Sequence, residues 1–295
     1  MGKEDYMPDK ISVFRSSEGE AQYMLAYEAV LNLWPIPVDS LDIPTHFGTT
    51  HVNACGDRSH PAMVLLPGFG ANSTMWFPNI AALSSQFRVY ALDTPGQPGR
   101  SVPMQKLTTT NCSEWIAEVF NGLEINNAHV VGISLGGWLA LNFAIQKPQR
   151  VNRVVLLDPA ASFEGMSSAF FWHSFIPIIL HPTRFGLINY FKWMTRGYQV
   201  NKKWGELMVL GILNIRPQSP IRARVFSDEE LRRVEVPTLL LIGGQSVIYD
   251  PKRAYQRATR LIPNIKAEII PDASHALNAE KSEYVNARIL QFCQS

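Results

Sequence analysis

With 295 residues, 46% of them hydrophobic and 18% charged, the chain can bury a sizeable core and is neither disordered nor embedded in a membrane. A net charge of +2 is too small to suggest a nucleic-acid partner. Three scattered cysteines, Cys55, Cys112 and Cys293, offer neither a disulfide framework nor the paired spacing of a zinc site, so no metal is expected.

The opening segment, MGKEDYMPDKIS, holds no apolar core of a secretory signal, and Tyr6 stands where a myristoylation signal needs Ser or Thr. The expected location is the cytoplasm. Over residues 18–34, Tyr23, Leu25, Ala26, Ala29, Val30 and Leu33 recur at helical spacing, with Ser16 or Ser17 able to cap the start and Pro35 to end it. This predicts an N-terminal helical arm within residues 1–40, laid on the outside of the core. Residues 45–54 alternate around Gly48 and predict two short antiparallel strands at a sheet edge.

From there the pattern repeats. Short apolar runs at 62–66, 88–92, 128–133, 153–157, 237–242 and 266–270 read as buried parallel strands, with helical patterns between most of them. The expected fold class is α/β, a doubly wound, mostly parallel eight-stranded sheet whose functional loops lie at the carboxyl ends of the strands. The rhythm breaks once. Between Leu157 and Pro237 about eighty residues carry no clear strand but are rich in Phe, Trp, Ile and Met, which is too long for a loop in a compact domain. We read residues 161–235 as an inserted helical cap over a core made of residues 1–160 and 236–295. The most apolar part of the insertion, residues 170–180, is interrupted by His173 and Pro177 and is too short to cross a bilayer. Lys202-Lys203 and Arg222-Ala-Arg224 read as solvated basic surface.

The chemistry concentrates at Gly132-Ile133-Ser134-Leu135-Gly136, where a strand pattern stops and a helical pattern begins. A serine hydroxyl acts as a nucleophile only when it projects toward a base and a substrate. Glycines two residues before and after Ser134 remove the Cβ atoms that would crowd so sharp a turn. The backbone N–H of Leu135, at the start of the new helix, would point at an oxyanion.

Over residues 45–292 this motif and three others resemble the α/β-hydrolase fold family, in particular its cap-bearing, carboxylesterase-like branch. Leu65-Leu66-Pro67-Gly68-Phe69-Gly70 stands where the family has His-Gly after its third strand, with proline replacing the histidine. The resemblance makes the Phe69 N–H the second oxyanion donor beside that of Leu135. Asp93-Thr94-Pro95-Gly96-Gln97-Pro98-Gly99-Arg100-Ser101 looks like the family's D-x-x-G-x-G-x-S loop with one additional residue, and implies a structural role for Asp93. Pro271-Asp272-Ala273-Ser274-His275-Ala276-Leu277 follows the last strand, where the family places its catalytic histidine, with Ser274 in the position usually held by glycine. An imidazole suits the task because its ordinary pKa lets it take the serine proton and return it to the leaving group.

The acid departs from the family pattern. In Leu241-Ile242-Gly243-Gly244-Gln245-Ser246-Val247-Ile248-Tyr249-Asp250, the usual carboxylate position holds Ser246. Two substitutes remain: Asp158, at the end of the strand before the insertion, where some relatives including certain haloalkane dehalogenases carry their acid, and Asp250, if the loop folds back. Asp158 is the preferred candidate.

These residues imply a serine hydrolase that cleaves a carboxylic ester, or less readily a thioester or amide, of a small to medium apolar substrate through an acyl-enzyme. Trp76, Trp138 and His173 are expected to border the pocket. No cofactor is implied, because neither G-x-G-x-x-G after a first strand nor G-x-x-x-x-G-K-[ST] occurs. The expected partner is a small-molecule ester, with no nucleic acid and no membrane insertion, and the chain a monomer or homodimer. Ser246 in the acid position motivates one alternative, a hydrolase-fold ligand-binding or regulatory protein with weak or no turnover.

Overall fold

The computed structural model describes residues 13–216 and 221–294. The first twelve residues of the expected arm and residues 217–220 of the expected cap lie outside them. A central sheet runs in the order β1-β2-β4-β3-β6-β7-β8-β9. Its strands are β1 (Asp39–Thr45), β2 (Gly48–Cys55), β3 (Ala62–Leu66), β4 (Arg88–Leu92), β6 (Ala128–Ile133), β7 (Val151–Leu157), β8 (Thr238–Gly243) and β9 (Ile265–Ile270). A two-residue ninth strand, β5 (Val102–Pro103), pairs antiparallel with β2 off the end of this path. β1 and β2 are antiparallel, while β3, β4 and β6 to β9 run parallel. The first hairpin differs from expectation: its turn joins Thr45 to Gly48, so β1 ends at residue 45 instead of starting there. Asp39, Ser40 and Asp42 gave that strand too polar a face to register as apolar alternation.

Period-two side-chain alternation sorts the parallel strands into two apolar faces. Val64, Leu66, Val130, Val154, Leu156 and Leu240 join the core under α3 (Cys112–Gly122), α4 (Leu135–Gln146) and α9 (Pro251–Leu261). Met63, Leu65, Val131, Val155, Leu157 and Leu241 face α2 (Ile80–Ser84) and the C-terminal α11 (Ser282–Gln294), which follows the short α10 (Leu277–Glu280). β3 sits between β4 and β6, so the winding direction reverses there. The loops after β3 and β6 therefore border a crevice at the carboxyl edge, the usual ligand position of such sheets.

Between β7 and β8 the described chain forms helices and, at Ile215, one isolated antiparallel bridge to Phe14: the helices are α5 (Ser168–Ser174), continued by a π-helical turn (Phe175–Leu180), α6 (Arg184–Met194), α7 (Lys202–Asn214) and α8 (Asp228–Arg232). The N-terminal helix α1 (Ser17–Leu31) is capped by Ser16, whose hydroxyl accepts the Gly19 N–H. α1 packs on this insertion as well as on the core, where Tyr27 Oη reaches Ser73 and Asp93 and Tyr23 Oη accepts from Asn72 Nδ2. Tyr23, Tyr27 and Val30 share a buried cluster with Leu207 of α7. A Cβ on Gly19 would come within 2.7 Å of the Asn214 side chain, which shows how close the two helices run. Arg15 N–H donates to Asn214 O (2.7 Å), and Arg216 N–H to Val13 O (2.8 Å), so the chain entering α1 is stitched to the chain leaving α7.

Candidate active site

Ser134 joins β6 to α4 with φ 54° and ψ −120°, a left-handed conformation that a non-glycine residue holds only when its surroundings impose it. Those surroundings are glycine contacts. A Cβ on Gly132 would lie 2.0 Å from the Gly136 carbonyl oxygen, and one on Gly136 would lie 2.0 Å from Leu66 O. The absence of both side chains lets α4 start directly against the end of β3. Gly68, in the loop after β3, sits against the Ser134 turn, where its own Cβ would meet Ser134 Cβ at 3.3 Å. Phe69 follows with a half-exposed side chain, and the next N–H, of Gly70, donates to Gln97 Oε1 (2.9 Å), which ties this loop to the one after β4. Leu135 is the first residue of α4, so its N–H has no partner four residues back in the helix.

Asp158 ends β7 with φ 42° and is fully buried. Its N–H continues the sheet by donating to Leu241 O (2.8 Å). Its carboxylate gathers four partners. His275 Nδ1 lies 2.5 Å from Oδ2, and Ser246 Oγ donates to the same oxygen (2.7 Å). Tyr249 Oη donates to Oδ1 (2.8 Å), with Gly243 N–H at 3.3 Å from it. Burial, reinforced by the Asp158 charge, pushes the Tyr249 phenol well above its usual pKa, so it stays a donor.

The loop after β8 can reach Asp158 because Gly243 and Gly244 let it nest against the histidine loop. Cβ atoms there would fall 2.4 Å from Ser274 O and 2.7 Å from Pro271 O. Ser274 in turn donates its N–H (2.8 Å) and hydroxyl (2.7 Å) to Glu280 Oε2, pinning the turn that presents His275. Sequence reasoning missed this layer of Ser246, Tyr249 and the Ser274–Glu280 pair. The Gly243-Gly244 doublet was its signal, since two adjacent glycines after a buried strand mark a close approach of backbones.

Ser134 and His275 open together into an apolar cavity of about 110 Å³. From the core it is lined by Gly68, Phe69, Ala71, Met75 and Ile133, and from the insertion by residues including Phe170, Ile178, Tyr190, Phe191, Met194 and Met208.

Three expectations about the pocket are corrected. Trp76 is fully buried in the core beneath the Ser73–Trp76 turn. Trp138 is also fully buried, stacking on Phe226 and donating its Nε1–H to Arg224 O (2.9 Å). His173 is exposed, bonds Ala169 O and stacks on Trp193. None of the three is among the cavity's lining residues. Each aromatic had a packing role that spacing alone does not separate from a pocket role. The alternative acid, Asp250, caps α9 instead, accepting the N–H groups of Lys252 and Arg253.

Residues 63–288 match the model of the alpha/beta hydrolase family. The chain belongs to that family. Within the family it is 36% identical over 287 residues to carboxylesterase YbfK of Bacillus subtilis, covering 95% of this chain and 96% of that one. It is also 38% identical over 290 residues to a protein named uncharacterized carboxylesterase nap from the same organism, covering 95% of each. Among solved structures, naproxen esterase (carboxylesterase NP) of Bacillus subtilis superposes with a TM-score of 0.88 at 36% identity, covering 94% of this chain and 99% of that one.

Proposed function

We infer that this alpha/beta hydrolase is a serine carboxylesterase acting on apolar esters, with Ser134 as nucleophile, His275 as general base and acid, and Asp158 as the acid of the triad. The observation that carries the reading is that His275, paired with the buried Asp158, lines the same apolar cavity as Ser134. Near-full-length similarity to carboxylesterases supports the reaction class.

In this reading His275 Nε2 takes the proton of Ser134 Oγ as the oxygen attacks the ester carbonyl, while the Nδ1–H stays bonded to Asp158. Asp158 fixes the ring's orientation and balances the imidazolium charge. The N–H groups of Phe69 and Leu135 hold the oxyanion. The tetrahedral adduct collapses, His275 returns the proton to the leaving alkoxide, and the alcohol departs. Water, deprotonated by the same imidazole, then cleaves the acyl-enzyme and releases the acid and Ser134. Residues 161–235 serve as the cap, supplying the apolar roof of the pocket, which favours a hydrophobic acyl or alcohol group. The cytoplasmic address read from the sequence belongs to this proposal; among the described residues no helix is long and apolar enough to cross a membrane.

The binding-protein alternative loses its motivation, because Ser246 is not a vacancy in a decayed triad but a donor to a carboxylate that His275 already has. The deciding experiment reacts the purified protein with a fluorophosphonate probe and with p-nitrophenyl esters of rising chain length, beside Ser134→Ala. Labelling and turnover that vanish in the variant are expected. Equal silence in both proteins would overturn the assignment.

A further inference from the structure

The outer face of the insertion carries an apolar surface that the catalytic reading does not use. Trp172, Ile176 and Leu180 follow one another at four-residue intervals along α5 and its π-helical continuation, 65%, 58% and 65% exposed. On α6, Phe185 (76% exposed) and Ile188 lie three residues apart, and Lys192 follows one turn later on the same stripe. The two helices are held side by side where His173 stacks on Trp193, ring centroids 4.2 Å apart. Phe171, also exposed, extends the surface next to Trp172. Large apolar side chains gathered this way mark an interaction surface.

Charge identifies the occupant. From residue 165 to 205 the sequence contains no Asp or Glu, although the chain has 25 of them, and it contains Arg184, Lys192, Arg196, Lys202 and Lys203. Among the described residues only Arg184 of these cations pairs with a carboxylate, that of Glu206. A cationic segment on a chain of net charge +2, with Trp and Phe projecting from it, has the composition of an element that lies in the headgroup region of an anionic bilayer. A second copy of the chain fits less well, since a two-fold interface would set the same cations against each other.

We propose that this face of the insertion docks on the surface of an anionic phospholipid bilayer without crossing it, with Trp172, Leu180 and Phe185 entering the headgroup layer, Lys192 on the same stripe meeting lipid charge, and the exposed Lys202 and Lys203 of the same acid-free segment adding to its positive potential. The same elements line the cavity over Ser134 from their inner side, through Phe170, Ile178 and Tyr190. A docked enzyme would hold its pocket about one helix diameter, ~10 Å, from the lipid phase in which apolar esters dissolve.

The test is flotation of the full-length protein with phosphatidylcholine vesicles, with and without phosphatidylglycerol. Binding requires no turnover, so its result is independent of the esterase assignment. The wild type is expected to float with the anionic vesicles only and to be released by salt. Neutralisation in Lys192→Gln/Lys202→Gln/Lys203→Gln is expected to weaken binding on the order of a hundredfold. Trp172→Ser/Leu180→Ser/Phe185→Ser is expected to abolish it while hydrolysis of water-soluble p-nitrophenyl acetate continues, which reports that the variant is folded. No flotation with either vesicle would overturn the proposal. So would a concentration-dependent dimer in sedimentation that the triple serine variant dissolves, which would make the face a contact between copies.

Discussion

Ser246 Oγ donates a 2.7 Å hydrogen bond to Oδ2 of Asp158, the same oxygen that faces His275 Nδ1. Ser246, in the loop position to which the family resemblance pointed for the acid, thus donates to a carboxylate that follows the neighbouring strand, since β7 and β8 pair in parallel. Restoring a carboxylate there is expected to harm the enzyme. In Ser246→Asp two carboxylates would share a fully buried site, and like charges in contact cannot both ionise. Turnover of a p-nitrophenyl ester by Ser246→Asp is expected to fall at least tenfold, about the loss of one good catalytic hydrogen bond. A gain in kcat would mean that the ancestral acid position had merely decayed.

The two candidate acids separate cleanly by mutation. Asp158→Asn keeps the shape but removes the charge and presents an amide to His275, and the expected loss in kcat is about 10⁴-fold. Asp250→Asn leaves the helix cap largely intact and touches nothing near Ser134, so kcat is expected to stay within about twofold and stability within about 1 kcal/mol. Steady-state kinetics on both proteins, with circular dichroism to confirm folding, decide the assignment. Full activity in Asp158→Asn would exclude it.

The parallel strands, the sharp turn at Ser134 and the loop that carries His275 were legible in the sequence because each is local. Ser134 and His275 are recognisable from residues within three or four positions of them. What could not be read was convergence across the sheet. Tyr249 and Ser246 meet Asp158 only because β8 lies beside β7 and because two glycines fold the loop inward, relationships that involve residues about ninety apart. Trp76 and Trp138 failed as pocket residues for a related reason, since which face of a helix looks into a cavity depends on the neighbours it packs against.

Asp93 was legible as a structural residue, and its surroundings give that role a size. The fully buried carboxylate accepts the Ser73 N–H (2.8 Å), the Ser73 hydroxyl (2.6 Å) and the Arg100 N–H (2.7 Å), with Tyr27 Oη of α1 at 3.1 Å. It thus joins the N-terminal helix to the loop that follows Phe69. Asp93→Ala removes the acceptor of four hydrogen bonds, three of them buried, and is expected to cost about 3–5 kcal/mol in chemical denaturation. The fraction that remains folded at low temperature should retain its KM, because Asp93 does not line the cavity. A stability change under 1 kcal/mol would show that water satisfies these groups instead.

His129 supplies a stability effect that turns on pH. Its ring lies on β6, buried against Phe87 with Nδ1 unpartnered, and burial, aided by the nearby Arg153 charge, pushes its pKa down to about 4. The unfolded chain binds this proton near pH 6.5, the folded chain only near 4, so between those values the unfolded state holds more protons. Stability is therefore undiminished above pH 6.5 and drains away as the pH falls toward 4, by a total on the order of 3 kcal/mol. The expected signature is a fall in the thermal midpoint across that window that His129→Gln largely removes, leaving the decline below pH 4, where carboxylates such as Glu230 begin to protonate, unchanged. If the two proteins lose stability in parallel between pH 6.5 and 4, His129 is charged in the folded state and the buried-neutral assignment is wrong.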